Sequence, residues 1–111
     1  MLTPRQLEVL RQMADAYNRD DFENAEIMAQ GIVVYLGLEN ISRKTLNAFI
    51  DHALVSKSDY SGGRLGGAEY WEINSTGLLV ARKPEMAEEI WLRLHCGGKP
   101  FTFKDDEIVD L

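Results

Sequence analysis

Residues 62–67 read Gly-Gly-Arg-Leu-Gly-Gly, and neither a helix nor a strand runs easily through such a segment. Glycine loses more backbone freedom on ordering than any other residue, yet it reaches positive φ at little steric cost. The segment therefore divides the chain. Before it, apolar residues recur at helical spacing. On either side of it, residues 54–60 (LVSKSDY) and 68–74 (AEYWEIN) read as two strands joined at a glycine-rich hairpin tip.

The glycines themselves point to no nucleotide site. A Walker loop needs Gly-Lys-Ser/Thr after its glycines, and a dinucleotide fingerprint needs a helix opening directly from them. Here AEYWEIN follows instead. Gly63, Arg64, Leu65 and Gly66 match the GXXG spelling of KH domains, but that loop joins two helices rather than two strands. A tight hairpin tip carrying one arginine is the reading the residues support.

The rest of the chain falls into helices. Thr3, Pro4 and Gln6 form a helix start, with a capping threonine, proline in the first turn and a glutamine able to reach back. Leu7, Leu10, Met13, Ala14 and Tyr17 continue at helical spacing. A second apolar stripe, Phe22, Ala25, Met28, Ala29, Ile32, Val33 and Leu36, predicts a second helix ended by Gly37, although Gly31 and the β-branched pair at 33 and 34 oppose it. Ser42 caps a third helix with Leu46, Phe49, Ile50, Ala53 and Leu54 on its buried side. Ser75 or Thr76 restarts a helix after the hairpin, and Pro84 opens the last one. The expected fold is α+β, mainly α: three helices, a β-hairpin wing and C-terminal helices over residues 1–96. Residues 97–111 are expected to form an acidic, solvated or disordered tail.

This order resembles the winged helix-turn-helix superfamily. LTPRQLEVLRQMA (2–14) is similar to the opening helix of many bacterial regulators. LGLENISRKTLNAFIDHALV (36–55) resembles the turn and recognition helix of MarR- and PadR-like bacterial or phage regulators, with Ala53 standing where their closing Gly-Leu-Val phrase has glycine. YWEINSTG (70–77) resembles their second wing strand running into a capped helix. The likeness spans about residues 3–82 and departs from those families in a long second element containing Gly31 and in a more acidic chain.

The resemblance implies a DNA-binding transcriptional regulator that works as a dimer, and the residues supply candidates. At about 100° per residue, Asn47 falls about 40° from Arg43, and Arg43, Lys44 and Asn47 lead a polar face opposite the buried stripe. In a helix-turn-helix these would enter the major groove, arginine suiting guanine, asparagine adenine, and lysine guanine or phosphate. Lys57 at the base of the wing would add a phosphate contact, and Arg64 at its tip would reach the backbone or minor groove. Met86, Ile90, Trp91 and Leu94 form the candidate dimerisation stripe. Any solvated helix also shows a polar face, and Asp51 on the same side would repel phosphate.

Charge leaves a second reading open. The net charge is −6, which opposes nucleic acid and favours an acidic winged-helix module docking on a basic protein partner, such as a phage or plasmid accessory protein would be. The charge is uneven: residues 1–40 carry three basic and seven acidic side chains, residues 41–82 five and four, and residues 83–111 four and seven. The segment holding the candidate contacts is the one that is not acidic, and local field outweighs the total.

No catalytic constellation is expected. His52, His95 and Cys96 are the only histidines and cysteine, too few for a zinc site. Adjacent His95 and Cys96 seldom share nucleophile–base geometry. Glu85, Glu88 and Glu89 suit the start of a helix dipole, and Trp71 and Trp91 sit at core spacing. The expectation is a protein that is not an enzyme, with no cofactor, no metal and no membrane span. A single cysteine and the absence of a secretory start fit the cytoplasm.

Overall fold

The computed structural model describes residues 1–58 and 67–111. These form an α+β fold of four α-helices, a five-stranded antiparallel sheet and a separate two-stranded ribbon. Helix α1 (Pro4–Asn18) begins as its residues predict. The Thr3 hydroxyl accepts from the Gln6 amide at 3.1 Å, and the Gln6 side-chain carbonyl accepts from the Thr3 amide at 2.9 Å. Val9, Leu10, Met13, Ala14 and Ala16 bury its inner face.

The expected second helix is absent. After a 3₁₀ turn (Phe22–Ala25), residues 26–36 form an antiparallel hairpin, β1 (Glu26–Gln30) and β2 (Val33–Leu36). Two helices, not three, therefore precede residue 56. Alternation explains the difference. Ile27 and Ala29 lie opposite Leu36 and Val34, and all four are buried on one face. Gly31 takes φ +62°, and Ile32 follows without positive φ. That is the pattern of a two-residue type II′ turn, whose twist matches the strands it joins. Gly37, at φ +60°, repeats the device with Leu38 and leads into the short β3 (Glu39–Asn40).

Helix α2 (Arg43–Asp51) starts at Ser42, whose hydroxyl accepts from the Thr45 amide at 3.2 Å. Both strands expected around the glycine segment are present, as β4 (Val55–Lys57) and β5 (Glu69–Ile73). The sheet order is β3-β2-β1-β5-β4, so β5 lies between the first hairpin and β4.

Helix α3 (Ser75–Arg82) is capped by Asn74 rather than by Ser75 or Thr76. The Asn74 side-chain carbonyl accepts from the Gly77 amide at 2.9 Å, while its amide group donates to the Ala53 carbonyl at 3.0 Å and to Ser56 Oγ at 3.1 Å. One side chain thus joins the end of α2, the start of β4 and the start of α3. Gly77 sits so close to the sheet that a Cβ there would meet the Leu54 carbonyl and come within 2.6 Å of Ile73 Cγ1.

Helix α4 (Met86–His95) follows Pro84, and Ala87 and Ile90 complete the core beside Leu10, Met13, Ile27, Leu46 and Phe49. Residues 97–111 are not a solvated tail. They include a ribbon of β6 (Phe101–Lys104) and β7 (Glu107–Asp110), reversed at Asp105 and Asp106, both at positive φ as a type I′ turn requires. Phe101, Phe103 and Ile108 pack against the core cluster. Arg82 pairs with Asp106 at 2.9 Å, and Arg93 pairs with Asp110.

Candidate nucleic-acid interface

The strand registers define one end of the molecule. Gln30 and Val33 close the first hairpin around Gly31 and Ile32. Glu69 lies opposite Ala29, and Lys57 lies opposite Trp71. The start of β5 therefore lies toward the turn at 31 and 32, whereas Lys57, level through Trp71 with Ile27, sits several residues back along the strands. The Arg43 guanidinium donates to the Gly31 carbonyl at 3.3 Å and brings the first turn of α2 to this hairpin.

Three of the five predicted contacts thus share a helix that begins here. Lys44 and Asn47 are exposed and Arg43 is half-buried, while Thr45, Leu46 and Phe49 turn inward. Arg43 uses one donor on the hairpin, and the remaining guanidinium donors are available to a ligand. Lys57 is exposed and pairs with Glu69 at 3.5 Å, an exposed pair of the kind that contributes little and screens readily. Arg64 lies outside the described residues. Asp51 is at the opposite end of α2, two turns from Arg43, where its carbonyl accepts from His95 Nε2 at 2.7 Å.

The hairpin turn is the part that sequence reasoning missed. Ile32 is 87% exposed at its apex, beside Arg43. The signal was present in Gly31 followed by the β-branched run Ile32, Val33, Val34, a poor helix interior and a good strand entry.

The predicted dimerisation stripe does not form one outward face. Ile90 is 0% exposed and belongs to the core, so it cannot meet a partner. Met86 is half-buried against the same core. Trp91 is half-buried with its ring 4.9 Å from that of His95. Leu94 is exposed, together with Leu92, which the stripe did not include.

His52 is a buried histidine, not a site residue. Its Nδ1 donates to the Ala48 carbonyl at 2.8 Å, and its Nε2 has no hydrogen-bond partner. Burial is the main force lowering its pKa below the usual 6.5; the bond to Ala48 and the charge of Asp51 act against it, and the amino terminus and His95 add to it. Cys96 is exposed just beyond α4. No helix among the described residues is long and apolar enough to cross a membrane. No protein-family model matches this chain, and no curated protein or solved structure is detectably similar to it.

Proposed function

We propose that this chain is a small winged-helix DNA-binding regulator in which α2 reads the major groove and the β4–β5 connection flanks it. The observation that carries the reading is the capped start of α2, where Arg43 is anchored on the Gly31 carbonyl and Lys44 and Asn47 are exposed. Two further features support it. Within the sheet order β3-β2-β1-β5-β4, the adjacent β5 and β4 are compatible with a wing, and in this reading the β1–β2 hairpin replaces the first helix of a helix-turn-helix. Among the described residues, Glu69 pairs with Lys57 at 3.5 Å, and Asp51 lies at the far end of α2.

The dimer belongs to the same proposal. A two-fold pair would set two recognition helices about one DNA turn apart, with Leu92 and Leu94 as the exposed apolar part of α4.

Selection from a random duplex library at low salt tests the reading. Wild-type protein runs beside Arg43→Ala/Lys44→Ala/Arg64→Ala, with circular dichroism showing that both are folded. An enriched motif that the triple variant loses is the expected result, and a palindromic motif would report a bound dimer. Folded protein that enriches nothing would sink the proposal and turn the search to a basic protein partner, which the net charge of −6 favours.

A further inference from the structure

Two aromatic side chains stand exposed where α1 ends and the chain turns into the sheet. Tyr17 is 40% exposed and Phe22 is 57% exposed, and their rings meet edge to face with centroids 5.7 Å apart. Between them and the end of β5 lies a cleft of about 190 Å³, lined by Tyr17, Phe22, Ala25, Glu72 and Ile73. Ala25 and Ile73 are buried and supply an apolar floor. Glu72 is exposed and is the one charged group in the described lining.

Register places the cleft. Glu72 lies opposite Glu26, the first residue of β1, whereas the turn at Gly31 and Ile32 closes the other end of that strand. The cleft is thus at the far end of β1 from the bond between Arg43 and Gly31, and it stands independently of DNA binding. Size and charge narrow what it takes. Small-molecule sites run to roughly 300–1,000 Å³, so this smaller cleft suits a single side chain. Two features select a cation. Glu72 makes no ion pair among the described residues. Tyr17 also lies in the last turn of α1, which holds no basic residue, and aligned peptide dipoles leave partial negative charge at that end of a helix. Arg19, just past the helix, is drawn to Asp21 at 3.7 Å.

We propose that this cleft docks an arginine side chain presented by a basic segment of a partner protein. The alkyl stem lies on Ala25 and Ile73, the planar guanidinium stacks on the aromatic walls, and its N–H donors meet the Glu72 carboxylate. Arginine is among the residues that most often anchor protein interfaces by filling such pockets. The net charge of −6 draws the same basic partner over a longer range.

The test uses the intact protein labelled with ¹³C in its phenylalanine rings, titrated with a peptide of three arginines. The same peptide with citrulline in place of arginine, neutral and nearly isosteric, serves as the control. The Phe22 ring resonances should move saturably, with half-saturation on the order of 1 mM, while those of Phe49, 0% exposed in the core, stay fixed. Glu72→Gln should weaken binding about threefold to fivefold, and Tyr17→Leu about twofold to fivefold. Unchanged Phe49 resonances report that each variant is folded, and Glu72→Gln at an exposed position keeps the test open should Tyr17→Leu unfold. Phe22 resonances unmoved by the arginine peptide would overturn the proposal. So would an equal response to the citrulline peptide, which would make the cleft a purely apolar dock, or unaltered binding in both folded variants. Phe22 resonances that shift when the protein alone is diluted would assign the cleft to a second copy of this chain, and would overturn it as well.

Discussion

The two turns of the β1–β2–β3 ribbon use the same chemistry in opposite surroundings. At each, a glycine at φ near +60° precedes an exposed aliphatic residue, Gly31 with Ile32 and Gly37 with Leu38. The first turn accepts a hydrogen bond from the cationic Arg43. The second closes on Asn24 beside Glu23 and Glu26. Their glycines answer different needs as well. A Cβ at Gly31 would meet nothing within 4 Å, whereas one at Gly37 would collide with the Asn24 side chain. A turn motif therefore sets where the chain reverses, and the neighbours brought in by the rest of the fold set what each turn can do.

Breaking the second turn should have the largest effect. Gly31→Ala is expected to cost about 1–2 kcal/mol, the strain of an alanine in the left-handed region. Gly37→Ala should cost about 1.5–3 kcal/mol, because the exposed Asn24 side chain must swing aside and give up its bond to Asp21 on top of the same strain. Denaturant unfolding measures both. Adding Asn24→Ala to Gly37→Ala should recover most of the difference. Equal costs at the two glycines would mean that Asn24 yields freely and is no rigid wall.

Next in size is the contrast in charge. On the proposed DNA-binding reading, Arg43→Ala/Lys44→Ala should weaken binding about tenfold and reduce the slope of log affinity against log salt by about 2. Glu23→Gln at the other turn should leave that slope unchanged. Equal slopes for all three proteins would remove Arg43 and Lys44 from the interface.

The far end of α2 offers two finer tests. Ala53 sits at φ +56°, a conformation that favours glycine. Ala53→Gly should therefore raise stability by about 0.5–1 kcal/mol in denaturant unfolding, the relief of left-handed strain outweighing the added freedom of the unfolded chain. His52 should make stability depend on pH. Its folded pKa lies below 6.5, so below that pH the unfolded chain binds more protons than the folded one. Stability is thus full above about 6.5 and falls as pH drops through the folded value. His52→Gln should flatten that slope in unfolding curves taken across this window, and a slope identical to wild type would place the dependence elsewhere.

Local signals made much of this legible, and long-range pairing accounts for what was not. Thr3 with Gln6, and Ser42 alone, announced two helix starts that the hydrogen bonds reproduce. Strands β4 and β5 followed from their composition and the glycines between them. Residues 22–36 misled because their apolar side chains satisfy two periods at once: Ala25, Met28 and Ala29 suit a helix, while Ile27, Ala29, Val34 and Leu36 suit a sheet. Backbone preference decided, through Gly31 and the β-branched run after it. In the last segment, Phe101 and Phe103 alternate around Thr102 as a strand should, against an acidic composition that suits a solvated tail. The row of Tyr35, Met28 and Tyr70 across three strands has no local signature, since it arises only when β1 pairs with strands on both sides. On α2, the polar face was readable from spacing, and its nearness to Gly31 was not.

The five-stranded sheet ends on its two shortest strands, β3 with two residues and β4 with three. A long flat edge presents a row of free backbone donors and acceptors on which another chain can add. Among the described residues, each edge offers only a few such groups and carries a charged side chain, Glu39 on one and Lys57 on the other. The sheet thus limits its own width and resists growth into a stack of copies. Lengthening β3, by replacing Glu39 with valine and extending the pairing toward Ile41, would turn a self-limiting domain into one prone to assemble through its backbone.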